Sequence, residues 1–197
     1  MTRDAIRQLA FVTTEARFDE TVRFWVDAFG AGPFWTMEFS LPGQTLRGKP
    51  TAAASKAALT MQGNTQIEIL CALDDEPSVY TEWIEKHGGE IPPAGLFHHF
   101  LIDADDHAAT RQRILAHGAA EGFEGVMPDG RNLSYLDGTA VTGSYIEIVT
   151  RKEQAMRVVA AMTQQCNDWD GTEPVRDYLD FLAELTGSRP DYGRPTE

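Results

Sequence analysis

The sequence predicts an α+β fold: two tandem βαβββ modules followed by a helical extension. Three observations carry this reading. The phrase Gln66-Ile67-Glu68-Ile69-Leu70 returns as Tyr145-Ile146-Glu147-Ile148-Val149. Upstream, Gln8-Leu9-Ala10-Phe11-Val12 has a counterpart in His99-Phe100-Leu101-Ile102-Asp103, and the helical stretch closed by Gly30 has one closed by Gly118. The offsets between copies (8 to 99, 30 to 118, 68 to 147) are 91, 88 and 79 residues, a steady shrinkage that places longer loops in the first copy. Anchors that recur in one order mark an internal repeat. The third observation is the succession of periodicities, one strand, one helix and three strands, met twice along the chain.

Residues 5–13 read as a strand. Phe18, Val22, Trp25, Val26 and Phe29 then recur at the spacing of an amphipathic helix, which Gly30, Gly32 and Pro33 end. Phe34 to Ser40 is a strand, broken by Leu41-Pro42-Gly43. Residues 44–55 have no period and are rich in small and polar residues, so a loop or mobile flap is expected there. Lys56 to Met61 and Thr65 to Leu70 flank Gly63-Asn64 and read as a hairpin. Residues 77–88 form a connecting helix with Val79, Trp83 and Ile84 on one side. The second unit reads as a strand at 96–103, a helix at about 106–117, and strands near 122–127, 131–136 and 143–150.

From residue 151 the character changes. Ala155, Val158, Val159 and Met162 sit at helical spacing, and Val175, Tyr178, Leu179, Leu182 and Leu185 do so again, after Thr172 as N-cap with Pro174 in the first turn. The tail from Gly187 onward is expected to be loose. The organisation is therefore a first module at 5–73, a linker helix at 74–94, a second module at 95–150, and a helical extension with its tail at 151–197. The extension is expected to pack on the sheet or on a partner subunit.

Composition narrows the class. The 197 residues are 42% hydrophobic, enough for a proper core. No apolar stretch is long enough to span a bilayer, and Met1-Thr2-Arg3-Asp4 lacks the apolar run of a signal peptide. Cys71 and Cys166 are the only cysteines, and Cys71, in an apolar strand, is expected as a buried thiol rather than half of a disulfide; a cytoplasmic protein follows. The net charge of −13 argues against a nucleic-acid surface. It leaves a phosphate only some local cluster such as Arg47 and Lys49.

The repeated phrase also carries chemistry. Strand residues alternate faces, so each pair of isoleucines enters a core while the Glu between them points the other way. A lone carboxylate at the same place in two similar strands points to one shared site served by both halves.

Two βαβββ units, with polar residues at the start of the first strand and in the last, resemble the vicinal oxygen chelate superfamily over roughly residues 5–150. That group includes glyoxalases, methylmalonyl-CoA epimerases, extradiol dioxygenases and bleomycin-resistance proteins. The Ala28-Phe29-Gly30-Ala31-Gly32-Pro33-Phe34 run and the Trp169-Asp170-Gly171-Thr172-Glu173-Pro174-Val175-Arg176 run look like a glyoxalase-like branch of it. The resemblance implies a U-shaped mixed sheet around a cleft, in which four inward side chains hold one divalent metal. Carried over position by position, these are Gln8, Glu68, His99 and Glu147. Gln8 stands where many members have His, although some glyoxalases and epimerases use Gln there. Three oxygens and one nitrogen suit Zn, Mn, Co, Ni or Fe, with room for a chelating substrate.

The resemblance further implies an isomerase, epimerase or lyase that abstracts a proton next to a carbonyl of a small molecule, in a homodimer. Glu147 is the leading candidate for a combined ligand and base, with Glu68 as the symmetric alternative and Glu38 as a third carboxylate. Taken singly, each of these polar residues has an ordinary structural reading; falling together at matched repeat positions, they favour a site. His98 should face away from the ligand side by alternation. His87, His107 and His117 read as structural, Trp25 and Trp83 as core, and Phe34, Trp35, Met37 and Phe97 as cavity lining or packing. The glutathione-dependent glyoxalase has an Arg four residues after the first ligand and an Asn four after the first Glu. Val12 and Ala72 stand there instead, which argues against that activity. Gln8 breaks the two-His, one-carboxylate set of an extradiol dioxygenase. A non-catalytic, bleomycin-resistance-type binding protein is the alternative of a different class.

Overall fold

Period-two apolar patterning pairs the strands into one mixed sheet, seen in a computed structural model that describes residues 4–193. The first half runs β1 (Ala5–Val12), α1 (Phe18–Phe29), β2 (Phe34–Phe39), β3 (Thr45–Leu46), β4 (Lys49–Pro50), β5 (Ser55–Gln62) and β6 (Thr65–Ala72). After α2 (Val79–Lys86), the second half runs β7 (Leu96–Ala104), α3 (His107–Ala116), β8 (Ala120–Val126), β9 (Asn132–Asp137) and β10 (Tyr145–Thr150). The extension supplies α4 (Glu153–Asn167), β11 (Val175–Asp177) and α5 (Tyr178–Thr186). The strand order is β11-β2-β5-β6-β1-β7-β10-β9-β8-β3-β4.

The order reads the same outward from the centre: β1-β6-β5-β2 on one side and β7-β10-β9-β8 on the other, with β1 and β7 antiparallel at the middle. In each half the first and last strands pair in parallel. Glu68 sits opposite Ala10, two residues after Gln8; Glu147 sits opposite Leu101, two residues after His99. The two halves are thus related by a pseudo-twofold that maps Gln8 onto His99 and Glu68 onto Glu147.

The isoleucines of the repeated phrase go where alternation sends them. Ile67 and Ile69 pack with Phe18, Val22 and Phe34 under α1, and Ile146 and Ile148 pack with Ala104 and Leu136 under α3. Gly30 ends α1 in the left-handed region (φ 62°), a conformation costly to residues with a Cβ. The opposite face of the sheet is covered by elements outside the repeat. Val79, Tyr80 and Trp83 of α2 pack there on Ala10, Val12 and Leu70. Met162 of α4 and Leu179 and Leu182 of α5 pack on Trp35, Leu59 and Met61. Met162 is fully buried, so Met162→Ala should cost about 2–5 kcal/mol and lower the urea midpoint accordingly.

Three expectations are corrected. Residues 44–55 are not a free flap: β3 and β4 form a small hairpin that adds to β8, and Arg47 N donates to Gly122 O at 2.6 Å. The last helix does not begin at Thr172. Residues 175–177 join β2 as an edge strand, and Asp177 caps α5 by accepting from Asp180 N at 2.8 Å. The tail is not loose as far as Tyr192, which is buried and whose carbonyl accepts from Ser40 N at 3.0 Å; residues 194–197 lie outside the described residues.

The two glyoxalase-like runs meet each other. A Cβ on Gly32 would stand 2.6 Å from the Trp169 ring, Phe34 N donates to Pro174 O at 2.8 Å, and Val175 pairs with Phe34. Together they clasp the extension to the first module. Cys71 and Cys166 are both free thiols, and burial pushes the Cys71 thiol up to about 12. Among the described residues, no helix is long and apolar enough to cross a membrane.

Candidate metal centre

The register brings Gln8, Glu68, His99 and Glu147 to the middle of the covered face, and all four are buried. The Gln8 amide nitrogen donates to Glu68 Oε2. His99 Nε2 lies 3.0 Å from Glu147 Oε2 and 3.5 Å from Glu68 Oε2. One ligand atom each from Glu68, His99 and Glu147 falls within 4.8 Å of the others, and among the described residues this is the one such group. The cross-strand neighbours of the two carboxylates, Leu59 and Tyr135, are themselves buried.

Electrostatics follow from that burial. Desolvation pulls His99 down, but hydrogen bonds and charge from Glu147 and Glu68 outweigh it and hold the imidazole at about 9. Burial pushes Glu68 up, as does the charge of Glu147, against the hydrogen bonds from His99 and Gln8. Two buried carboxylates facing one another favour a cation between them, and in the protein alone the proton on His99 serves. Two carboxylates, an imidazole and the remaining amide oxygen of Gln8 form a donor set that fits a divalent transition metal, which would replace that proton.

His98 does not face away. The β1–β7 register slips between Ala10 and Phe11, opposite which β7 passes from His99 to Phe97, so His98 is the extra residue of a β-bulge. The bulge turns it to the same side as His99. There it stacks on Tyr145 with ring centroids 4.7 Å apart, while its Nε2 lies 3.2 Å from Val79 O and its Nδ1 2.7 Å from His99 Nδ1. The Val79 carbonyl can only accept, so Nε2 of His98 carries the hydrogen. Burial, then the charge of His99, pull His98 well below the ordinary range; neutral, it accepts at Nδ1 from His99. His99 is thereby left with Nε2 facing the carboxylates. The mirror of this bulge occurs at Arg7, skipped where β1 passes from Ile6 to Gln8.

Gln8, Glu68 and Glu147 form part of the wall of a cavity of about 240 Å³, whose sides include Met37, Leu59, Met61 and Phe123 and whose roof includes Val158, Val159 and Tyr178. Glu38 is not part of it. It alternates with Met37, is exposed, and pairs across strands with Lys56. Of the aromatic candidates, Phe34 and Trp35 are core, and Phe97 lies against Phe11 on the other face. Trp25 and Trp83 are core residues whose ring N–H groups donate to Ala94 O and Phe97 O. His87 and His117 bond carbonyls one turn back in their helices, and His107 bonds Ser134 Oγ. Arg47 is held by both oxygens of Glu82 at 2.7 Å, which removes the proposed phosphate cluster.

Sequence reasoning missed Arg7, Asp103 and Arg131, which line the cavity. Asp103 left a signal, because it stands where the first copy has the buried Val12. Arg7 left none, since only the bulge turns it inward.

No protein-family model and no curated protein matches the chain. Among solved structures, a hypothetical protein from Bacillus halodurans C-125 is similar at 18% identity and TM-score 0.51, over 77% of this chain and 96% of that one. A methylmalonyl-CoA epimerase is similar at 18% identity and TM-score 0.48, over 75% of this chain and 95% of that one. A mutant of 4-hydroxymandelate synthase from Streptomyces coelicolor is similar at 16% identity and TM-score 0.49, over 76% of this chain and 39% of that one. At these identities the likeness is one of fold. The strand order and the mirrored register give that fold as two tandem βαβββ modules in one mixed sheet.

Proposed function

We propose that the chain is a metal-dependent isomerase, epimerase or lyase that moves a proton on the carbon next to a carbonyl of a small organic substrate. Gln8, Glu68, His99 and Glu147 would hold one divalent ion. The observation that carries this reading is the buried Glu68–His99–Glu147 cluster, whose two carboxylates line a mostly apolar cavity. A divalent ion bound there supplies a Lewis acid for the carbonyl oxygen and for the negative charge that grows on it.

The chain's own residues do the rest. Glu147 takes the proton and returns it, positioned on β10 between its strand partners Leu101 and Tyr135. Gln8 fixes the rotamer of Glu68 through its amide nitrogen, and Glu68 is the second carboxylate able to receive a proton on the other side of the pseudo-twofold. The apolar walls keep water from competing for the proton.

Elemental analysis of the purified protein separates this reading from a binding module: about one equivalent of transition metal per chain supports it. Incorporation of solvent deuterium next to the carbonyl of 2-oxo compounds and 2-substituted acyl thioesters then tests the chemistry. A protein that binds such compounds tightly but exchanges no proton in any of them is a binding module. His98→Phe keeps the stacking on Tyr145 but leaves the Nδ1 hydrogen of His99 without an acceptor; a loss of metal affinity of roughly 10–100-fold is expected, read by competition with a chelating dye.

A further inference from the structure

The pseudo-twofold gives the cleft two ends, and the chain finishes them differently. At the end where β1 and β6 run out, the inner positions are apolar (Val12, Leu70), and α2 plugs the space around the bulged His98 with Val79, Tyr80 and Trp83. At the end where β7 and β10 run out, Asp103 takes the place of Val12, and the bulged residue is Arg7 in place of His98. That end is the cavity. Burial pushes the Asp103 carboxyl up, and the charges of Arg7, Arg151 and Arg131 offset it only in part. In a chain of net charge −13, three guanidiniums gather here, each with one acid: Arg7 with Asp103, Arg131 with Asp129 and Arg151 with Asp105.

The acids hold the arginines by one edge only. Arg7 Nε lies 2.5 Å from Asp103 Oδ2, and Arg131 Nε donates to Asp129 Oδ2 at 2.7 Å. The terminal nitrogens of both arginines make no hydrogen bond to any described residue, and both side chains line the cavity. The hydroxyls of Tyr178 and Tyr192, two buried residues lining the same end, make none either. Two guanidinium edges and two phenol hydroxyls without an acceptor among the described residues therefore line the same cavity. A planar pair of N–H groups matches a carboxylate.

We propose that Arg7, Arg131, Tyr178 and Tyr192 form a carboxylate-binding site, and that the substrate is a small monocarboxylic acid with an apolar middle. The second half rests on the proposed metal centre, which would receive the reacting carbonyl. Asp103 is two strand residues past Leu101, the partner of Glu147, and Arg131 is four before Tyr135, its other partner. At strand spacing these are about 7 and 13 Å, so carboxylate and carbonyl are separated by on the order of 10 Å.

The test uses 3-phenylpropanoate, 4-phenylbutanoate and 5-phenylpentanoate, each beside its primary amide, titrated calorimetrically into the full chain before and after chelation of metal. At least one acid should bind tenfold or more tightly than its amide in the chelated protein, and Arg131→Gln should erase that preference while the amide's affinity and the melting temperature stay unchanged. Should Arg131→Gln unfold, Arg131→Lys, which keeps the charge but not the fork, should reduce the preference. Equal binding of acids and amides, no binding of any acid, or an acid preference that vanishes with the metal would each overturn the proposal. Metal stoichiometry from the same samples reports on the catalytic reading separately: a chain that takes up no metal yet prefers the acid keeps this site and loses that function.

Discussion

Glu147→Gln should leave the metal content near that of the wild type and lower solvent-deuterium exchange by roughly 10²–10⁴-fold. The substitution keeps a side-chain oxygen of the same reach, so a ligand position is retained, but an amide cannot accept the substrate's proton. Packing should survive, because Leu101 and Tyr135 flank the position on neighbouring strands and the residue volume hardly changes. Glu68→Gln is the control that exploits the pseudo-twofold. If Glu147 is the base, the two variants differ in exchange rate while resembling each other in metal binding. An equal and complete loss in both, with metal retained, would instead show that the carboxylates share the proton, as their separate contacts with His99 permit. Retention of wild-type exchange in Glu147→Gln would remove this residue from the chemistry altogether.

The second large effect concerns pH, and its sign depends on metal. In the metal-free protein His99 is held at about 9, above its ordinary value of 6.5, so its contribution to stability is fully present below pH 6.5 and is lost as pH rises through 9. The loss should be about 3 kcal/mol. Glu68, also raised, contributes with the same sign at lower pH. Metal reverses the trend, because the ion needs the ligands that protons occupy, so the stability it adds grows with pH. Urea midpoints at pH 6 and pH 9.5, with a chelator and with added zinc, check this: falling with pH in the first series and shifted upward most at high pH in the second. A chelated protein that becomes more stable toward pH 9.5 would contradict the buried Glu–His–Glu arrangement.

The repeat made most of the fold legible, since period-two runs with a central Glu and a helix closed by Gly are local signals, and the mirrored register of β1–β6 and β7–β10 follows the same phrases. The four inward polar residues could be placed for that reason. What escaped was set by contacts distant in sequence. Residues 175–177 look helical by spacing, but pairing with β2, some 140 residues earlier, makes them a strand. The hairpin at 45–50 exists because β8 offers an edge, which no local pattern announces. His98 and Arg7 were misread or missed for one cause: a bulge inserts a residue and reverses the alternation on which the inference rested.

The clasp between the run at 28–34 and the run at 169–176 has a consequence for the order in which the molecule is made. The floor of the cavity is complete once β10 has emerged at Thr150, but its cover is not complete until α5 ends at Thr186. At about 5–20 residues per second, translation leaves an interval of about 2–7 s in which β1 to β10 are made and the helices that cover their inner face are not. During that time Trp35, Leu59 and Met61 have no covering helices and the acidic cluster has no lid. That interval leaves an apolar surface for a chaperone to hold, and Glu68 and Glu147 without the helices that later roof their cavity.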